Sequence, residues 1–151
     1  MQTTTVTSSD QMDRVLNEHF AAEEAHDLER LLATLTEDAE HDVVGFGEHR
    51  GRDQIRAFYE QVFELLEQED VKPLRRYYGN NFMVDEVLYT GQADGALFGS
   101  EGYRGRVSFR MLHVVEFRDG LISRENVWMD IDEARRQLLA GESRSASTGV
   151  V

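Results

Sequence analysis

Three residues in this chain have the type and setting to move protons: His113, His19 and Asp42. From Val107 to Phe117 the stretch VSFRMLHVVEF alternates, so that Val107, Phe109, Met111, His113, Val115 and Phe117 share one face of a strand. An imidazole amid an apolar face is either a core histidine held by hydrogen bonds or a proton carrier facing a cavity. His19 falls on the stripe Met12, Val15, Leu16, His19, Phe20, the inward face of a helix or its edge. Asp42 keeps phase with Val44 and Phe46 in AEHDVVGF, which suits a carboxylate on an apolar side or a solvated strand edge. A carboxylate in an apolar cleft is a better proton acceptor than one in water, and a neutral imidazole there offers an N–H to a developing oxyanion.

The elements that would position them can be read in order. Ser9 or Asp10 caps a first helix, and Asp27 caps a second carrying Leu28, Leu31, Leu32 and Leu35. A strand over residues 39–46 follows. The strongest helix, over residues 53–69, carries Ile55, Phe58, Tyr59, Val62, Phe63 and Leu66. Strands are expected over residues 72–78 and 80–90, the Gly-rich stretch 91–105 reads as turns, and residues 106–132 form a long hairpin around Arg118-Asp119-Gly120. On the strand 80–90, Asp85 and Tyr89 lie in phase with Met83 and Val87, which makes them pocket candidates, although Asp85 also suits an exposed face. On the last strand Glu125, Val127 and Met129 share one face and Asn126, Trp128 and Asp130 the other; the pattern leaves open which looks inward. Helices followed by strands give an α+β layer in which a curved, mainly antiparallel sheet and its helices enclose a cavity.

Composition sets the limits. The 151 residues fit one domain, expected over 10–140 between disordered tails at 1–9 and 141–151. With 16 Lys and Arg against 29 Asp and Glu the formal charge is −13, which argues against nucleic acid or an anionic membrane as partner. Without cysteine there is no disulfide, thiolate metal site or thiol nucleophile. The start of the chain does not read as a signal peptide and no window is apolar enough to span a membrane, so a cytoplasmic protein is expected. A metal site from His41, His49 and His113 lacks ligand spacing on any one element, and no metal or other cofactor is expected. The pair Arg75-Arg76 beside Tyr77-Tyr78 reads as a solvated strand edge.

The segments HDLERLLATLTEDAEHDVVG, HRGRDQIRAFYEQVF, YTGQADGALFG and FRDGLISRENVWMDIDEARRQL resemble the SnoaL-like and ketosteroid-isomerase-like branch of the nuclear transport factor two-like fold. The resemblance implies a cone-shaped α+β barrel, with the sheet wrapped around the N-terminal helices, which hosts enzymes and binding modules alike. Where related cyclases and epoxide hydrolases carry an essential aspartate on the last strand, this chain has Val127, and the hydrolase Arg and Asp pair is not evident in VDEVLYTG. Asp42-Val43-Val44-Gly45 resembles the segment of the isomerase base; the isomerase's two oxyanion donors fall on His19 and His113, and Tyr59 falls on a supporting tyrosine. The resemblance thus implies proton abstraction by Asp42 from a small apolar carbonyl compound, polarised by His113 and His19, as in an isomerase, cyclase or dehydratase. Tyr59, Phe58, Asp85, Tyr89, Met111, Glu125, Val127, Trp128 and Met129 are the expected substrate contacts. The alternative is a non-catalytic module that binds a small ligand or dimerises. A homodimer is expected from the uncovered sheet face that carries Leu112 and Val114.

Overall fold

The computed structural model describes residues 5–147, with side chains through Gly141. Helix α1 (Ser9–Glu24) opens with a capping box in which the Ser8 hydroxyl accepts from the Gln11 amide and the Gln11 side chain accepts from the Ser8 amide. Its cap is therefore Ser8, not Ser9 or Asp10. The segment before it is not wholly a tail, because Thr7 is buried and its amide donates to Asn81 Oδ1 at 2.8 Å. Asp27 caps α2 (Leu28–Ala33) by accepting from the Arg30 amide, as expected.

Strand β1 (Leu35–Val43) ends three residues before the expected boundary. Val44 to Phe46 form a turn in which the Phe46 amide donates to Val43 O, and Gly45 and Gly47 take positive φ values of 90° and 102°. Strand β2 (Gly47–Arg50) and α3 (Gly51–Leu65) follow. Strand β3 (Leu66–Gly79) starts where the helical pattern was expected to continue, since residues 66–68 pair with residues 91–93 of β4 (Phe82–Asp94). Cross-strand pairing here overrides the local helical periodicity. A 3-10 turn (Gly95–Phe98) interrupts the stretch read as turns; a Cβ on Gly95 would lie 2.1 Å from Ser100 O, so that close approach requires glycine. Strands β5 (Arg104–Arg118) and β6 (Leu121–Met129) form the expected hairpin around Asp119 and Gly120, both at positive φ. Helix α4 (Ile131–Ser147) is the last described element, so residues 141–147, expected as tail, continue its backbone, while 148–151 and 1–4 lie outside the described residues. Ala134 and Leu138 bury this helix against β5, and Gln137 exchanges hydrogen bonds with the Ser108 backbone.

The six strands form one curved, unclosed sheet in the order β2-β1-β6-β5-β4-β3, antiparallel except for the β1–β6 pair. The fold is the expected α+β cone. Its concave side holds two apolar clusters. One is built under α1 and α2 from Met12, Leu16, Leu31, Ile55 and Ile122; the other lies under α4 from Tyr89, Phe98, Phe109 and Leu138. Register decides what lies between them. His113 is directly opposite Asp85 on β4 and Val127 on β6, and His41 is opposite Glu125. Among the described residues no helix is long and apolar enough to cross a membrane.

Candidate functional site

Between the clusters lies a cavity of about 80 Å³, room for several water molecules or a small ligand. Its wall is apolar over Val43, Phe46, Phe58, Phe63, Met111 and Met129, and its polar groups include Glu23, His41, Tyr59, His113 and Glu125. Of the expected residues, His113, Tyr59, Phe58, Tyr89, Met111, Glu125, Val127 and Met129 line it. The face of β6 left open by the sequence is thereby fixed as that of Glu125, Val127 and Met129, while Trp128 is 40% exposed on the other side.

Asp42 does not line the cavity. Its carboxylate is half-buried on the opposite face of β1 and lies 3.5 Å from Arg124 Nη2. The parity expected from Val44 and Phe46 does not hold because these residues belong to a turn; the strand residues that alternate inward are Ala39, His41 and Val43. His41, considered in the sequence only as a metal ligand, takes the inward place. Glu23 was also missed, although its spacing of four residues from His19 on one helix stripe is a readable signal.

His19 stands one layer behind the wall, fully buried. Its Nδ1 lies 2.9 Å from Thr34 Oγ1, whose hydroxyl donates to Leu31 O, so the imidazole is the donor to that oxygen. Its Nε2 then faces Glu23 Oε1 at 3.0 Å, Glu125 Oε2 at 3.2 Å and the Tyr59 hydroxyl at 3.3 Å. Burial disfavours a charge on His19, but Glu125 and Glu23 outweigh it and raise its pKa to about 10. Burial likewise opposes charge on Glu125, and His19, followed by His41 and His113, outweighs it and holds the carboxyl below its ordinary range. A buried ion pair with a second carboxylate at its edge results. His19 Nε2, Glu23 and Glu125 place donor atoms within 4.8 Å of one another, the spacing of a cation site, and a proton on His19 satisfies the same two carboxylates.

The other two histidines flank that pair. His41 Nε2 is 3.4 Å from the Tyr59 hydroxyl and 3.9 Å from Glu125 Oε2, and its Nδ1 is buried without a hydrogen-bond partner among the described residues. Burial lowers its pKa, so His41 is neutral at pH 7. Tyr59 donates to Glu23 at 2.9 Å, and burial together with Glu23 and Glu125 raises its pKa well above the ordinary phenol, so it keeps its proton. His113 presents Nε2 to Glu125 Oε1 at 3.9 Å and Nδ1 to Asp85 Oδ2 at 3.8 Å, with Phe20 against its ring. Asp85 is fully buried behind the wall, not exposed, and pairs with Arg76.

A curved sheet closed on one side by helices, with a polar-ended cavity between the layers, is the architecture of the nuclear transport factor two-like cone folds. The chain belongs to the SnoaL-like domain family, whose profile matches residues 16–125. A SnoaL-like polyketide cyclase structure from Shewanella denitrificans superposes with a TM-score of 0.76 at 17% identity, over 88% of this chain and 99% of that one. An LEH-like epoxide hydrolase from M. tuberculosis gives 0.71 at 21% identity, over 93% and 98%. A protein of ketosteroid-isomerase-like fold from Catenulispora acidiphila, solved with trimethylamine, gives 0.70 at 16% identity, over 82% and 91%. These likenesses establish the fold. No curated protein matches the chain.

Proposed function

We propose that the cavity is a cofactor-independent acid–base site for a small apolar carbonyl compound. His41 takes the proton from the carbon beside the carbonyl, and His113 donates to the carbonyl oxygen. The observation that supports this reading most is the convergence of His19, His41 and His113, from three elements, on one buried carboxylate, Glu125, at a cavity whose wall is otherwise mostly apolar. A proton on His41 Nε2 faces two acceptors, the Tyr59 oxygen and Glu125, which leaves the lone pair on Nδ1. When Nδ1 accepts the substrate proton, Glu125 at 3.9 Å compensates the imidazolium so formed. The base role that the family resemblance gives to Asp42 passes to its neighbour on the inward face. Return of the proton at another carbon isomerises the substrate; loss of a leaving group beside the enolate dehydrates it.

A small phenol tests the donor, because its phenolate oxygen stands in for the enolate oxygen. Titration with 4-nitrophenol, read by absorbance, is expected to show the phenolate bound by the parent and about 100-fold weaker binding by His113→Ala, near the ~3 kcal/mol of one oxyanion bond. His41→Ala should bind it as the parent does. A cavity that merely holds apolar ligands would lose nothing with His113→Ala.

We also propose that the chain pairs with a second copy through the outer sheet face, where Leu112 and Trp128 lie directly opposite each other across β5 and β6 and are 37% and 40% exposed.

A further inference from the structure

We infer that Asp85 is the positioning residue for His113: its carboxylate holds a proton on Nδ1 and so leaves Nε2 as the nitrogen that exchanges a proton with the substrate. The proton-transfer half of this inference rests on the acid–base reading above; the position of the ring proton does not.

The two side chains are a directly opposed pair in the β4–β5 register. Asp85 is fully buried, and a buried carboxylate is stable only if both oxygens are compensated. Arg76 serves one of them, donating from Nε to Oδ1 at 2.7 Å. The same guanidinium donates to Asp13 Oδ1 and Asn17 Oδ1, each at 2.9 Å, which ties β3 to α1 and fixes the fork beside Asp85. The second oxygen, Oδ2, has no hydrogen-bond partner among the described residues, and neither has His113 Nδ1, 3.8 Å away. That separation is too long for a hydrogen bond, but a movement of about 1 Å by either side chain closes it and satisfies both atoms at once. The opposite tautomer would aim the Nδ1 lone pair at a carboxylate and leave both orphaned. Arg76 thus fixes Asp85, and Asp85 fixes the ring.

The consequence for chemistry is a defined proton cycle. With Nδ1–H held by Asp85, a proton carried on Nε2 passes to the carbonyl oxygen as the C–H proton passes to His41 Nδ1. The C–H electron pair becomes the enol double bond, and the carbonyl π pair takes the new O–H proton. Nε2 is then left with its lone pair and Nδ1–H is still on Asp85. The reverse transfers restore both rings, one proton having been lost and one gained at carbon. A carboxylate that orients an imidazole in this way is a recurrent device of acid–base sites.

The test reads the ring proton itself. Long-range ¹H–¹⁵N correlation spectra of histidine-labelled protein, assigned with His113→Gln, should show the proton of the singly protonated ring on Nδ1 in the parent. In Asp85→Asn, whose amide can donate to the ring, the proton should move to Nε2, and in Arg76→Gln it should stay on Nδ1. A parent ring protonated on Nε2, or an Asp85→Asn spectrum like the parent's, overturns the inference. If Asp85→Asn does not fold, the parent spectrum alone decides. As a second readout, exchange of the protons beside the carbonyl of a small ketone into D2O should slow tenfold or more in Asp85→Asn with KM unchanged. Should His113→Ala exchange those protons as fast as the parent, the acid–base reading fails, while the spectra still decide for or against Asp85.

Discussion

The two faces of the sheet handle charge in opposite ways. On the outer face Arg124 meets four carboxylates, Glu40, Asp42, Glu48 and Glu116, and Arg110 and Arg118 pair with Glu86 and Asp38, all at groups a quarter or more exposed except Glu86 at 21%. On the inner face the charged groups are few. Glu125 and Asp85 are buried, and each has a cation or an imidazole on both sides. Ion pairs in water exchange one good solvation for another and contribute little, whereas a buried carboxylate without its partners is strongly destabilising. A chain with a formal charge of −13 therefore has its electrostatic stakes in a handful of groups, and the acidity of its surface says little about its chemistry.

The contrast breaks first at Glu125. Replacement by alanine removes the shared partner of three histidines and leaves His19 charged with Glu23 alone. Urea unfolding should show a loss of about 3 to 5 kcal/mol, the cost of breaking a buried pair. A loss under 1 kcal/mol would place this cluster in the same class as the surface pairs.

An effect of comparable size should appear with pH. The folded chain holds the His19 proton up to about 10, against an ordinary value of 6.5, so between these values the folded state binds the extra proton. Stability from this group is fully present below 6.5, falls as pH rises, and is gone above about 10, with a slope near 1.4 kcal/mol per pH unit for one proton. The parent should show that alkaline decline in denaturant unfolding, and His19→Gln should flatten it. On the outer face, Leu112→Glu should convert a homodimer to a monomer in light scattering while leaving the melting temperature of the folded unit within a few degrees. A parent that is already monomeric at micromolar concentration would remove the dimer proposal.

The sequence carried most of the fold because its periodicities were long. The β5–β6 hairpin, the Asp27 cap and the stripes of α1 and α3 follow from spacing alone. It was less informative where tertiary pairing outweighs local pattern. The helical phase through Leu66 and Glu69 yields to pairing with β4, and the chain past Gly141 keeps its helix although the composition reads as tail. In the site, His113 and Tyr59 could be found because strand and helix phase determine direction, whereas phase on β6 groups Glu125 with Val127 and Met129 without saying which face looks inward. Asp42 failed by a single residue: Val44 and Phe46 were counted as strand although the glycines around them make a turn, and a slip of one inverts the face. Asp85 shares the inward phase of Met83 and Val87, but no local pattern shows that it meets Arg76, since that depends on the register between β3 and β4.

His41 and Asp42 are adjacent in the chain and lie on opposite faces of one strand, so exchanging each in turn tests the account most directly. Exchange of the protons beside the carbonyl of small apolar ketones is measured by NMR in D2O for the parent, His41→Ala and Asp42→Asn. The expected result is exchange by the parent, a drop of 100-fold or more in His41→Ala, in the range of general acid–base catalysis, and parent-like exchange and stability in Asp42→Asn. Loss of exchange in Asp42→Asn with exchange retained in His41→Ala would contradict the account and return the base to the outer face.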